Sequence, residues 1–202
     1  ASGNPWIWRA RFWGHQPQTD LAFLQKGYYV VYCDVGSLFG NEVAVDRWNR
    51  FYTLMQRGGL AEKGILEGMS RGGLIIYNWA AANPDKVSGI YADAPVLNGW
   101  SWPGGFMDGK GSPRDWLQFK SAYRIETAKD SLNFSGNPIH KAAVIASLQI
   151  PLIHVCGAAD GVVPINENTN PFAEEIRKYG GKIKVISKPG IGHHPHSLED
   201  PT

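Results

Sequence analysis

Residues Lys63 to Gly73 read KGILEGMSRGG and place Ser70 between a short apolar run and a helix-like segment. Glycines stand two residues before the serine, at Gly68, and two residues after it, at Gly72. A sharp strand-to-helix turn needs such glycines, because a side chain at either position would collide with the turn. This turn projects the hydroxyl above the strand end, where the helix N-terminus favours developing negative charge. The alternative is a glycine-rich turn with a capping serine.

Strand-like and helix-like segments alternate on both sides of this turn. The predicted strands are Tyr28–Cys33, Lys63–Glu67, Val87–Ala92, Pro151–Cys156 and Lys182–Ser187. The predicted helices are one near Thr19, Glu42–Arg57, Gly72–Ala82 and Pro171–Tyr179, the last with Asn170 as its N-cap. The strands are continuous apolar runs, which is typical of strands covered on both faces. The pattern predicts a single α/β domain over residues 1–202, with a mostly parallel sheet and helices on both faces.

One long segment, residues 95–148, contains no clear strand. It holds Trp100, Trp102 and Trp116, four glycines between positions 104 and 111, and a helix-like start at Ser112. A connection of this length inside a compact domain is usually functional. We therefore expect residues 95–148 to form a cap or lid insertion within the domain.

Composition restricts the classes of partner. The 202 residues are 43% hydrophobic, which is enough apolar material for a core. Their net charge of +2 produces no strong electrostatic field. This argues against nucleic acid or an anionic membrane as partner. No apolar stretch reaches the roughly 20 residues of a membrane-spanning helix. Cys33 and Cys156 lie in strand-like runs and are expected to be small core residues.

A serine hydroxyl is a poor nucleophile at neutral pH and needs a base that a third group orients. Two later strands end in turns that offer these groups. The strand ending at Cys156 leads to Asp160, and the last strand leads through glycines to His193. The order Ser70, Asp160, His193 is the Ser–Asp–His order of the α/β-hydrolase arrangement.

These three turns together resemble those of the α/β-hydrolase superfamily, and the resemblance extends from the helix near Thr19 to His193. The resemblance implies that Ser70 is the nucleophile, Asp160 the orienting acid and His193 the general base. It also implies an oxyanion donor at the main-chain N–H of Arg71 and a second donor between Gly3 and Phe12. No cofactor is expected.

The role of the Arg71 side chain stays open. In glucuronoyl esterases, an arginine after the nucleophilic serine helps to hold an oxygen of the substrate, but the similarity is limited to that dipeptide. The alternative is an arginine at a helix start that pairs with a nearby acid.

Other acids and histidines compete for roles in the site. Asp93 follows a strand and is the alternative orienting acid. His194 and His196 stand close to His193 and suggest a metal site. No cysteine or carboxylate has ligand spacing in that turn, so we expect no metal and place His194 at the rim of the substrate pocket.

Aromatic side chains offer flat surfaces to sugars or acyl chains. Trp6, Trp100 and Trp102 flank the expected mouth of the site and are, with His194, the candidate substrate-binding residues. The alternative is packing in the core or under a lid.

The sequence therefore predicts a serine esterase that cleaves a carboxylic ester through an acyl-enzyme, with a carbohydrate or aromatic ester as the favoured substrate. An amidase or peptidase using the same triad, or a non-catalytic binding module, is the alternative. The compartment stays open, with a periplasmic or secreted location favoured over a cytoplasmic one.

The resemblance also predicts that the chain is truncated at one or both ends. Few residues precede Thr19 in a superfamily that usually has two or three strands there. Either Trp6–Trp13 supplies the strand beside the nucleophile, or that strand is missing and the sheet is completed by self-association with another chain or by a lost segment.

Overall fold

The computed structural model describes residues 3–127, 129–130 and 134–199. Six parallel strands form one sheet in the order β2-β1-β3-β4-β5-β6. The strands are β1 (Trp6–Arg9), β2 (Tyr29–Tyr32), β3 (Gly64–Met69), β4 (Val87–Asp93), β5 (Leu152–Gly157) and β6 (Ile183–Lys188). The helices are α1 (Gln18–Gln25), α2 (Glu42–Arg57), α3 (Gly72–Ala82), α4 (Pro113–Tyr123), α5 (Ala142–Ser147) and α6 (Thr169–Lys178). The predicted α/β class with a mostly parallel sheet is confirmed.

The strand order reverses direction between β1 and β3. From β1 the chain moves outward to β2, and from β3 it moves the other way through β4, β5 and β6. In open α/β sheets, ligands bind outside the carboxyl ends of the strands at such a reversal point. The loops after β1 and β3, which begin at Ala10 and Ser70, open at this point.

The strand beside β3 comes from Trp6–Arg9, the first of the two alternatives that the sequence left open. Ile7 pairs with Ile65 of β3 on one side and with Val30 of β2 on the other. The position next to the serine-bearing strand is therefore filled from within this chain.

The start of α6 differs from its predicted position. The helix begins at Thr169, with Asn168 before it, rather than at Pro171. The side-chain oxygen of Asn168 accepts hydrogen bonds from the main-chain N–H groups of Leu97 and Asn98, at 3.0 and 3.1 Å. These bonds join the residue before the helix to the segment after β4, a long-range contact that local sequence does not reveal.

The substrate-binding assignment of Trp6 is wrong. Trp6 is 1% exposed and its ring centroid lies 5.6 Å from that of Trp8, inside the main core. Its indole N–H donates to the carbonyl oxygen of Ala61, just before β3, at 2.8 Å. Trp6 thus lies toward the amino ends of the strands, whereas Ser70 follows the carboxyl end of β3.

Both cysteines are free thiols; Cys156 is buried, and Cys33 is half-buried against the main core. Within the described residues, no helix has both the length and the apolar character that crossing a bilayer requires.

Between β4 and β5 the described residues form helices and turns but no strand. Their function as a cap or lid stays a prediction.

A buried histidine in β5 connects the sheet to two helices. His154 is fully buried, with Nε2 2.6 Å from the hydroxyl oxygen of Tyr77 in α3 and Nδ1 2.9 Å from that of Thr169 in α6. Burial lowers the pKa of His154 to about 3. The imidazole therefore stays neutral in the fold at pH values where an exposed histidine is charged.

This burial predicts a pH-dependent stability. Between about pH 6.5 and pH 3 the unfolded chain binds a proton at His154 that the folded chain excludes, so acidification destabilises the fold by up to about 1.4 kcal/mol per pH unit. His154→Gln, whose amide keeps polar contacts to both helices, should show a shallower decline in the free energy of unfolding. Chemical denaturation at several pH values measures this. Parallel pH profiles for the variant and the wild type would contradict the assignment.

Candidate active site

Ser70 stands in a strained turn between β3 and α3. Its φ of +48° lies in the left-handed region, which is uncommon for residues other than glycine. Its main-chain N–H donates to the carbonyl oxygen of Asp93 at 2.8 Å, and its carbonyl oxygen accepts from the N–H groups of Gly73 and Val96, each at 2.9 Å. These three bonds stabilise the strained residue.

The glycines around Ser70 allow this close approach. A Cβ on Gly68 would lie 2.7 Å from the Cδ1 atom of Ile76 and 2.9 Å from the carbonyl carbon of Gly72. A Cβ on Gly73 would lie 2.8 Å from the carbonyl oxygen of Val96, whereas on Gly72 its nearest contact would be at 3.4 Å. Gly68 and Gly73 are therefore the most restricted positions, and Gly73 is one that the spacing argument did not single out.

The structure brings Ser70, His193 and Asp160 into one hydrogen-bonded series. The Ser70 hydroxyl lies 3.0 Å from Nε2 of His193, and Nδ1 of His193 lies 2.7 Å from Oδ2 of Asp160. Ser70 and the His193 side chain are each 9% exposed, and the Asp160 side chain is 1% exposed. In this arrangement the hydroxyl can lose its proton to an oriented imidazole.

The turn after β5 holds the Asp160 carboxylate in a fixed orientation. Its Oδ1 accepts from the main-chain N–H groups of Val162 and Val163, both at 2.8 Å, and this leaves Oδ2 for His193. Burial alone would raise the pKa of Asp160, but the hydrogen bonds from His193 and from these two amides lower it overall. Asp160 is thus an ionised acceptor that favours the Nδ1–H tautomer of His193.

Asp93, the alternative acid, is bonded to a different histidine. Its Oδ1 lies 2.6 Å from Nδ1 of His196, and its Oδ2 accepts from the main-chain N–H of Ser197 at 2.6 Å. His196 is 4% exposed. A second histidine–aspartate pair therefore lies beside the first. Sequence reasoning noted Asp93 and His196 separately but not their pairing, because the resemblance that joined the other three residues assigns no partner to His196.

Two main-chain amides are available near Ser70. Among the residues that the structure describes, no hydrogen bond engages the N–H of Arg71 or of Arg11. The amide nitrogen of Arg11 would lie 4.0 Å from a Cβ placed on Gly72, so the loop after β1 passes beside the start of α3. Arg11 lies within the range, Gly3 to Phe12, in which a second donor is expected.

The side chain of Arg71 forms an ion pair. Its guanidinium lies 2.9 Å from Oδ1 of Asp115 in α4 and 4.9 Å from the ring centroid of Trp102. Burial lowers the pKa of Arg71, and Asp115 opposes that shift. The geometry matches the alternative in which the arginine pairs with an acid, and it connects the serine turn to the segment 95–148.

The remaining candidate residues lie at different depths. Trp102 is 7% exposed and packs with Phe39 and the Arg71 side chain. Trp100 is half-buried among Trp116 and other aromatic residues of its segment. His194 is exposed, and its ring centroid lies 5.0 Å from that of His193. Trp102 thus adjoins Arg71 and His194 adjoins His193, whereas Trp100 packs against Trp116 within its own segment.

Three histidines, His193, His194 and His196, form the one group of metal-binding side chains found among the described residues. Burial, and then the neighbouring histidines, lower the pKa of His194. A neutral imidazole is the form that binds metals.

Comparisons with known proteins agree with this architecture. A puromycin-hydrolyzing peptidase from Mycobacterium tuberculosis superposes with a TM-score of 0.72 at 15% sequence identity, covering 96% of this chain and 31% of that chain. An acylaminoacyl peptidase from Pyrococcus horikoshii gives 0.68 at 16% identity, covering 96% of this chain and 34% of that chain. A monoacylglycerol lipase from Paleococcus ferrophilus gives 0.59 at 16% identity, covering 95% of this chain and 88% of that chain. This chain has the α/β-hydrolase fold.

The sequence similarity is much weaker than the structural similarity. No protein-family model and no curated protein matches the chain. The chain spans about a third of the length of the two peptidases, at 31% and 34%, and most of the length of the lipase, at 88%. The likeness therefore establishes the α/β-hydrolase fold, and the activity has to be argued from the site.

The restricted space at Gly68 predicts a costly substitution. Gly68→Ala places a methyl group against the main chain of Gly72, which cannot move without displacing Ser70. Overpacking of this kind costs about 1–3 kcal/mol. Gly161→Ala is the matched control, because a Cβ there meets nothing within 4 Å. Thermal or chemical denaturation compares the two, and equal stabilities would show that the turn has more room than the structure indicates.

Proposed function

We propose that this α/β-hydrolase-fold chain is a serine hydrolase that cleaves a carboxylic ester through an acyl-enzyme. The observation that carries the proposal is the series Ser70–His193–Asp160, with distances of 3.0 and 2.7 Å. Each member has the residue type and the hydrogen-bond partner that its role requires. The strained backbone of Ser70 agrees with a functional site, since such strain concentrates there.

In the acylation step, the Ser70 oxygen attacks the carbonyl carbon of the substrate as its proton passes to Nε2 of His193. Asp160 stabilises the imidazolium through the Nδ1–H bond and does not itself take the proton. The main-chain N–H groups of Arg71 and Arg11 would donate to the developing oxyanion, because both are free of hydrogen bonds to the described residues. His193 then gives the proton to the leaving alcohol as the carbon–oxygen bond breaks.

In the deacylation step, water replaces the alcohol. His193 takes a proton from the water as the water oxygen attacks the acyl carbon. The same proton passes to the Ser70 oxygen when the bond between that oxygen and the acyl carbon breaks. The products are the carboxylic acid and the free enzyme. The low pKa of Asp160 keeps its carboxylate ionised throughout both steps.

The favoured substrate is a carbohydrate or aromatic ester. Trp102 packs against Arg71, the residue after the nucleophile, and the half-buried Trp100 belongs to the same aromatic cluster. Phe106, 64% exposed, lies beside Trp100 with a centroid distance of 6.2 Å. Flat apolar surfaces of this kind cover sugar or aromatic rings. In this proposal the segment 95–148 is the cap that contacts the substrate, with His194 at the rim.

An amide or peptide substrate is the second candidate. Of the three structural neighbours named above, two are described as peptidases, and this favours the amide candidate. The same triad cleaves amides when His193 can protonate the leaving nitrogen.

Active-site labelling tests the nucleophile. A fluorophosphonate probe should label the wild type, and Ser70→Ala should abolish labelling because no hydroxyl remains beside His193. Ser147→Ala removes an exposed serine of α5 and should label like the wild type. A folded wild-type chain that fails to label would instead indicate a non-catalytic binding module.

Paired substrates distinguish ester from amide hydrolysis. With p-nitrophenyl acetate, we expect a burst of nitrophenol stoichiometric with the enzyme, because the acyl-enzyme accumulates when deacylation is slow. The corresponding anilide and short peptide anilides should give no measurable turnover at the same enzyme concentration. A kcat/KM on any peptide anilide equal to that on the ester would favour the amidase candidate.

A further inference from the structure

Three imidazoles converge beside the proposed triad. One ring nitrogen from each of His193, His194 and His196 lies within 4.8 Å of the others. The ring centroids are 5.0, 4.8 and 4.7 Å apart in the three pairs, with planes 76–83° to one another. His194 is exposed, so its side chain can rotate toward the other two.

Two of these histidines already have the support that metal-binding histidines use. Nδ1 of His193 bonds the Asp160 carboxylate at 2.7 Å, and Nδ1 of His196 bonds the Asp93 carboxylate at 2.6 Å. A histidine that ligates zinc almost always donates its other ring N–H to such a group, which fixes the ring and raises its basicity. The catalytic proposal accounts for the first pair and gives no role to the second.

We propose that His193, His194 and His196 form an inhibitory site for a divalent transition-metal cation, of which Zn²⁺ is the best match. Imidazole nitrogen is a preferred ligand of zinc, whereas Mg²⁺ and Ca²⁺ prefer oxygen. Ligand bonds of about 2.0–2.1 Å place nitrogens about 3.4 Å apart around a tetrahedral ion. Separations of up to 4.8 Å must shorten by up to about 1.4 Å to reach that spacing. Rotation of the exposed His194 shortens its own two distances, and a small shift of His193 or His196 shortens the third.

Inhibition follows from the lone pair that the cation would use. In the metal-free chain, the lone pair on Nε2 of His193 accepts the hydroxyl of Ser70 at 3.0 Å. A cation bound to that nitrogen takes the same lone pair, so the serine loses its proton acceptor. This consequence rests on the proposed hydrolase function, whereas metal binding itself does not.

Calorimetric titration of the metal-free full chain with ZnCl₂ tests the site directly. We expect one Zn²⁺ per chain, and His194→Ala should weaken its binding by at least about 10-fold, as the loss of a ligand should cost no less than the loss of a supporting group. His140→Ala removes an exposed histidine elsewhere and should leave binding unchanged. Ser70→Ala should also bind Zn²⁺ as the wild type does, because the hydroxyl is not a ligand. Absent binding, or equal binding by His194→Ala, would overturn the site.

Labelling kinetics test the inhibition. Saturating Zn²⁺ should slow fluorophosphonate labelling of the wild type at least about 10-fold, and EDTA should restore the rate. The same concentration of Zn²⁺ should slow labelling of His194→Ala much less, relative to the rate of that variant without metal, than it slows labelling of the wild type. Zinc binding with an unchanged labelling rate would overturn the inhibitory role. Zinc binding by a chain that never labels would uphold the metal site and reject the hydrolase proposal.

Discussion

All six strands run in the same direction, and this constraint determines where chemistry is possible in the molecule. Every loop that follows a strand then opens at the same edge of the sheet. Ser70, Asp160 and His193 follow β3, β5 and β6, so residues far apart in sequence meet within hydrogen-bond distance. An antiparallel neighbour would have sent one of these loops to the opposite edge.

The parallel sheet also explains why sequence reasoning located these three side chains. Each follows a recognisable apolar run and stands in a turn rich in glycine. The sequence therefore shows both where each strand ends and which polar residue follows it. The first strand was harder to read, because WIWR contains a buried arginine and aromatic residues that also suit a pocket wall. Its pairing with Ile65 is a long-range property that local composition does not encode.

The pairing of Asp93 with His196 was likewise beyond sequence reasoning. Asp93 is the last residue of β4 and Asp160 follows β5, so by position either could have oriented His193. The amides of Val162 and Val163 fix Asp160 beside His193, while the amide of Ser197 fixes Asp93 beside His196. Main-chain donors at each carboxylate thus settle which acid faces which imidazole. The result is two neighbouring pairs, one of them next to Ser70.

The buried Arg9 shows how the fold supports the loop beside the site. Its guanidinium pairs with Asp20 of α1 and lies 3.2 Å from Glu67 of β3. Burial, and then the nearby Asp20, raise the pKa of Glu67, and Arg9 opposes that shift. Arg9 Nε also donates to the carbonyl oxygens of Arg11 and Phe12, each at 3.2 Å.

One cation therefore connects α1, β3 and the loop that carries the amide of Arg11. Breaking a buried pair by removing one partner typically costs about 3–5 kcal/mol, because the remaining charge is left uncompensated. The same arginine that stabilises the start of the sheet thus restricts the loop that the proposed oxyanion site needs. Arg9 interrupts the apolar pattern of β1. In the structure, its hydrogen bonds join the core to the loop at the edge of the sheet where Ser70 lies.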